Sequence, residues 1–290
     1  MRILVLGGDG MLGHRLLLSW HSKHEVRTTL HRELATYRDL GLFNLDNSFA
    51  GVDVRQIERV AQIVSEFRPE VVVNAVGIVK QRSDASAAIP SLEINSLLPH
   101  RLALVCGGAG ARLVHLSTDC VFSGRKGGYI EADPSDAEDL YGRSKYLGEV
   151  VGPGCVTLRT SIIGRELSRK TGLLEWFMSQ RGGMVKGFRQ AIFSGFTTHE
   201  MARIIEQLVT AQPPAEGLYH VSSAPISKYD LLREINRALC LDITIGADDT
   251  FRCDRSLDST RFRREFGYQP PSWREMVAEL VRDISPEEQR

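Results

Sequence analysis

Met1-Arg2-Ile3-Leu4-Val5-Leu6-Gly7-Gly8-Asp9-Gly10-Met11-Leu12-Gly13 opens the chain, and its reading decides the fold. The apolar run over residues 2–6 ends in glycine, as a buried parallel strand does. The glycines follow the spacing GxxGxxG. Gly7 permits a tight turn, Gly10 lets backbone approach a pyrophosphate, and Gly13 allows close helix–sheet packing. A helix over 11–20 would then present free N–H groups and a partial positive charge to an anion. Gly7, Gly10, Met11, Leu12 and Gly13 are therefore candidate dinucleotide contacts.

The same alternation continues outward. Strands are expected at 25–30, 71–74, 113–117 and 155–160, and helices at 54–67 and 94–106, with Pro69 ending the first of these helices. A further helix carries Tyr141. This order predicts an α/β fold: a Rossmann-like, doubly wound parallel sheet with helices on both faces. After residue 161 the alternation weakens into a smaller, mixed C-terminal substrate domain. Its expected helices cover 197–210, 228–238 and 273–284, with a strand at 217–221. The division reads as 1–161 for the dinucleotide and 162–290 mainly for substrate, with part of 191–225 returning to the first domain. The last residues, 285–290, read as frayed.

Composition narrows the function classes. The 290 residues carry 36 basic and 36 acidic side chains, a balance that argues against a nucleic-acid or membrane-surface binder. No apolar run approaches the roughly 20 residues of a membrane span. The N-terminus turns glycine-rich too soon for a signal peptide. The five cysteines are scattered without a CxxC, and read as reduced thiols of a cytoplasmic protein with no metal site.

The cofactor type is read at the end of the second strand, Thr28-Thr29-Leu30-His31-Arg32. NAD sites usually place an acid there for the ribose 2′-hydroxyl. Arg32 instead suits a 2′-phosphate, so NADP(H) is preferred and NAD(H) is the second choice; a solvated loop cation is the competing role for Arg32. Asn74, Ala75 and Val76, ending the third strand, leave room for nicotinamide and its ribose. Asp53, beside Val54, could contact the adenine amino group or cap the following helix.

Tyr141 and Lys145 stand one helical turn apart on one face. A free phenol has a pKa of about 10, and a neighbouring ammonium brings phenolate toward the working range. Thr118, at the end of the 113–117 strand, supplies a hydroxyl that can hold a substrate oxygen. Lys186, Arg189 and Arg255 are candidates for neutralising a substrate diphosphate. Trp176, Phe177 and Phe188 could stack on a base, with core packing the stronger reading. His115 reads as a core histidine.

With these pieces in place the chain resembles an extended short-chain dehydrogenase/reductase, and most closely the dTDP-4-dehydrorhamnose reductase family. The matching motifs are GGDGMLG at 7–13, NAVG at 74–77, EIN at 93–95, STDCVFSG at 117–124, YGRSK at 141–145, LRTSIIG at 158–164 and RSLDS at 255–259. The resemblance implies an NAD(P)-dependent oxidoreductase that reduces a nucleotide-linked 4-keto sugar. It implies Thr118 as the catalytic hydroxyl, Tyr141 as the proton donor, and Lys145 as the ribose-binding residue that tunes Tyr141. Two other readings share the fold: a nucleotide-sugar epimerase with bound NAD, and a non-catalytic NADP-binding regulatory subunit. A homodimer is the default assembly. Two departures stand out. Cys120 replaces the family's usual tyrosine, and Ile78-Val79-Lys80-Gln81-Arg82 replaces its usual residues after the third strand.

Overall fold

The computed structural model describes residues 1–79, 87–168 and 170–284. Lys80, Gln81 and Arg82 of the unusual segment, and the tail 285–290, lie outside the described residues. In chain order the first elements are β1 (Arg2–Leu6), α1 (Met11–Trp20), β2 (Glu25–Thr29), β3 (Ser48–Phe49), α2 (Ile57–Phe67) and β4 (Val71–Asn74). Then come α3 (Ala88–Ser91), α4 (Leu98–Ala109), β5 (Arg112–Leu116), α5 (Leu140–Leu147) and β6 (Cys155–Arg159). Next are β7 (Ile162–Ile163), α6 (Leu173–Met178), β8 (Met184–Phe188), β9 (Ala191–Phe193), β10 (Phe196–Thr197), α7 (Thr198–Thr210) and β11 (Gly217–His220). The chain closes with β12 (Ile226–Ser227), α8 (Lys228–Leu239), β13 (Thr244–Asp248), β14 (Cys253–Asp254), α9 (Thr260–Phe266) and α10 (Trp273–Val281).

Two compact units share these elements. The first takes the described residues of Met1–Ser117, Asp139–Leu158 and Ala202–Leu218. The second takes those of Thr118–Glu138, Arg159–Met201 and Tyr219–Arg290.

A seven-stranded sheet runs in the order β11-β6-β5-β4-β1-β2-β3. The pairs from β6 through β3 are parallel. Strand order reverses between β1 and β4, and such a switch point opens a ligand crevice at the carboxyl ends of the strands. Gly7 and residues 75–77 follow those two strands. Val71, Val72 and Val73 are each 0% exposed, as expected of a strand covered on both faces. Leu4, Leu6, Val72 and Leu113 pack with Val60, Ile63 and Val64 of α2 and with Leu98 and Leu102 of α4. Each such side chain contributes roughly 1.5–3 kcal/mol on full burial. In α1, Leu12, Leu16, Leu17 and Trp20 are buried, and Trp20 Nε1 donates to the Ala202 carbonyl at 3.2 Å.

One expected helix takes a different form. The 94–106 segment starts as a π-helical stretch, Leu92–Leu97, and becomes α-helical only at Leu98. Pro99 has no N–H to return to the Asn95 carbonyl, so the α ladder is broken there. The Asn95 side chain is drawn into other bonds. It accepts from Ile78 N at 2.9 Å and donates to Ile78 O at 3.0 Å and to Ser144 Oγ at 3.1 Å. Gly148 closes on the released carbonyl: a Cβ built there would overlap Asn95 O.

The second unit is built from small pieces. β8 pairs parallel with β13, β7 with β10, and β9 with β14 in parallel and β12 in antiparallel. A reciprocal capping box between Ser272 and Glu275 starts α10, and Trp273 Nε1 donates to Ala224 O at 2.7 Å. Tyr219, Phe262, Phe266 and Tyr268 form an aromatic cluster.

Gly148→Ala tests the close approach of α5 to the π-helical stretch. Its backbone (φ −93°) suits alanine, so the overlap alone should lower stability, by about 1–3 kcal/mol. An unchanged urea midpoint would contradict that contact.

Candidate active site

The glycine loop fits a dinucleotide on steric grounds. A Cβ at Gly13 would overlap the Gly7 carbonyl, so only glycine lets α1 begin this close to the loop. Gly10 is the N-cap of α1 and no side chain caps it. The first-turn N–H groups are left to an anion such as a pyrophosphate. Gly7 N–H and Gly8 N–H are already used, donating to Thr29 Oγ1 at 3.1 Å and Thr29 O at 2.8 Å.

At the β4 end, Asn74 is fully buried. Its Oδ1 accepts from Val76 N–H at 3.2 Å, which turns Nδ2 toward His115 Nδ1 at 3.1 Å. Nδ2 can only donate, so His115 Nδ1 accepts and the ring hydrogen sits on Nε2. Protonation would set donor against donor. Burial pushes the His115 pKa well below its usual value, and the charges of Lys145 and His100 push the same way. His115 is thus a locked, neutral core imidazole, with no partner for Nε2 among the described residues.

Asp53 takes neither a cap nor a free position. α2 begins at Ile57, behind a Gln56 N-cap, and Asp53 instead forms a fork with Arg55, at 3.0 Å to Nε and 2.6 Å to Nη2. That hydrogen bonding, opposed by partial burial, lowers its pKa. The capping expectation fails because the helix starts three residues too late for it, with Gln56 in the N-cap position. Val54 is buried in the same core as β1. Arg32 is exposed.

α5 carries Tyr141 and Lys145 on one face. Asp139 caps it, accepting from Gly142 N–H at 2.8 Å. Lys145 is only 4% exposed, and its ammonium donates to the Leu116 carbonyl at 2.6 Å. Burial lowers its pKa to about 8, while the nearby Glu149 charge opposes the shift. Glu149 is itself held by Ser117 Oγ, 2.6 Å away.

Thr118 caps a 3-10 turn over Asp119–Val121. Its Oγ1 accepts from Cys120 N–H at 3.1 Å and donates to Asp119 at 3.2 Å. To donate to a substrate oxygen the hydroxyl hydrogen must swing away from Asp119, losing one long hydrogen bond. Cys120 is partly buried. Lys228, at the start of α8, lies 4.5 Å from the Phe193 ring centre. Burial lowers its pKa, and Asp119, Cys120 and Cys253 act on it in the opposite direction. No sequence motif marks Lys228, because more than a hundred residues separate it from the turn it neighbours.

The three cations offered for a diphosphate are not free. Lys186 Nζ lies 3.3 Å from Asp248, Arg189 pairs with Asp249, and Arg255 Nε donates to Phe122 O at 2.7 Å. Phe177 is a core residue and Trp176 is 39% exposed. Phe188 packs on Phe251. Arg159 is buried and donates to His220 Nε2 at 3.1 Å, so His220 Nδ1 donates to Tyr129 O at 2.9 Å. Burial and the Arg159 charge push the His220 pKa down to about 4.

The family model described as "RmlD substrate binding domain" matches residues 1–285. The chain belongs to that family. It lies within the extended short-chain dehydrogenase/reductases. The chain is 25% identical to a dTDP-4-dehydrorhamnose reductase of Aggregatibacter actinomycetemcomitans, over 96% of this chain and 98% of that one. It is 24% identical to the methionine adenosyltransferase 2 subunit beta of Rattus norvegicus, over 79% of this chain and 70% of that one. Among solved structures it resembles a dTDP-4-dehydrorhamnose reductase from Bacillus anthracis in complex with NADP. That match has a TM-score of 0.78 at 21% identity and covers 98% and 99% of the two chains.

Burial of Lys145 has a consequence for stability. Its pKa is about 10.4 in an unfolded chain and about 8 when folded. Between those values the unfolded state binds more protons, so stability rises with pH. Between pH 8 and 10.5 the wild type should gain on the order of 3 kcal/mol relative to Lys145→Met. Parallel stability–pH curves for the two proteins would contradict the burial.

Proposed function

We propose that the protein reduces a nucleotide-linked 4-keto sugar to the hydroxy sugar, with NADP(H) preferred and NAD(H) accepted. The observation carrying this reading is the Tyr141–Lys145 pair on α5, with its ammonium buried against the Leu116 carbonyl. The names of the family's reductases support the same chemistry.

Gly7, Gly10, Met11, Leu12 and Gly13 would hold the cofactor pyrophosphate, Arg32 and Asp53 would face its adenosine half, and Val54, Asn74, Ala75 and Val76 would line its course. When bound, the reduced nicotinamide supplies the hydride. Thr118 holds the ketone oxygen by a hydrogen bond as negative charge develops on it. Tyr141 transfers its phenolic proton to that oxygen. Lys145 stabilises the phenolate left behind and binds the nicotinamide ribose. Lys186, Arg189 and Arg255 would meet the substrate's diphosphate only by exchanging their present partners.

The likeness to a methionine adenosyltransferase subunit favours a second reading, a regulatory NADP-binding protein without turnover. The retention of Thr118, Tyr141 and Lys145 weighs against it.

NADPH oxidation with a panel of nucleotide 4-keto sugars separates the two. The wild type should turn over at least one of them. Tyr141→Phe should lose about 100-fold or more in kcat while binding NADPH normally. NADPH binding without turnover of any panel member would favour the regulatory reading.

A further inference from the structure

The strand-two tip, Leu30-His31-Arg32, carries no acid of its own, yet the fold brings one there from the glycine loop. Tyr37 Oη donates to Asp9 Oδ2 at 2.7 Å and accepts from the Arg32 backbone N–H at 3.3 Å. Tyr37 is only 6% exposed and stands edge-on to Phe43, with ring centres 5.5 Å apart. Burial and the Asp9 contact push its pKa up to about 12, so the phenol remains a donor throughout the neutral range. These two hydrogen bonds fix a carboxylate beside the end of β2. In doubly wound folds that is where an acid takes the ribose 2′-hydroxyl, ordinarily from the second strand itself.

Tyr37 engages Oδ2 alone, which leaves Asp9 Oδ1 for another partner. The Arg32 side chain reaches outward and is exposed, and its charge acts on Tyr37. An acceptor and a cation therefore stand at the same tip. A carboxylate accepts a hydroxyl hydrogen and repels a phosphate; a guanidinium does the reverse, binding phosphate through two parallel bonds.

We propose that the ribose 2′ position is read by two opposed groups: Asp9, braced by Tyr37, accepts the 2′-hydroxyl of NAD(H), and Arg32 engages the 2′-phosphate of NADP(H). This inference rests on the dinucleotide-binding part of the proposed function and not on the identity of the sugar. It makes Asp9 a specificity-determining residue and Tyr37 a positioning residue. It would let both cofactors bind at one site without a carboxylate at the tip of the second strand.

Calorimetric titration with NADH and with NADPH, in the absence of sugar, tests it. Asp9→Asn is close to isosteric and keeps an acceptor for Tyr37. It should weaken NADH about tenfold, the scale of one lost charged hydrogen bond, and leave NADPH equal or tighter. Arg32→Ala should weaken NADPH by a similar factor and spare NADH. Tyr37→Phe should follow Asp9→Asn with a smaller change. If Asp9→Asn alters both affinities equally, or neither, the proposal is overturned while dinucleotide binding stands. If the wild type binds neither compound, the dinucleotide reading and this proposal fail together.

Discussion

A single hydrogen bond, from the buried Lys145 ammonium to the Leu116 carbonyl, ties α5 to the end of β5. The rest of the candidate chemistry depends on it. An ammonium with little access to water is costly unless something accepts its hydrogens. Here a backbone carbonyl does so, and the charge of Glu149 favours the protonated form. The result is a cation whose pKa lies close to neutrality. One turn away, Tyr141 shares its face. Asp139, Ser144 and Gly148 set the helix, through its cap, its bonds to Asn95 and Ser96, and its close approach to the Asn95 carbonyl.

Neutrality of His115 belongs to the same arrangement. A second cation beside Lys145 would lower its pKa further and weaken its hold on a phenolate. The Val76 N–H fixes Asn74, Asn74 fixes the imidazole tautomer, and burial keeps the ring uncharged. Asn74 thereby links the strand end expected to border the cofactor with the surroundings of Lys145. The switch point between β1 and β4 makes this economical. Loop, strand end and imidazole all lie within two or three neighbouring strands.

Local patterns made much of this legible. The run Ile3–Leu6 followed by glycines, the apolar Val71–Val73, and the i, i+4 spacing of Tyr141 and Lys145 each carry their meaning within a few residues. What depended on distant partners did not show. Pro99 marks a break in the ladder near Asn95, but the contacts of that π-helical stretch with Ile78 and Gly148 do not show in the local pattern. Asp53 looked like a helix cap until Arg55 claimed it and the helix began later. Lys186 and Arg189 read as diphosphate ligands, and their pairing with Asp248 and Asp249, some sixty residues on, does not show in the local pattern. The missing strand-two acid could not be found by reading strand two. Asp9 comes from the glycine loop, and Tyr37 links it to the Arg32 backbone at that strand end.

The most direct measurement is the pH dependence of kcat/KM for keto-sugar reduction by the wild type and by Tyr141→Phe. Loss of the Lys145 proton removes stabilisation of the phenolate formed as Tyr141 gives up its proton. The wild-type rate should therefore fall as pH rises through about 8, and the residual rate of Tyr141→Phe should lack that limb. A wild-type profile flat from pH 7 to 9.5, or an identical fall in both proteins, would contradict a proton donor tuned by Lys145.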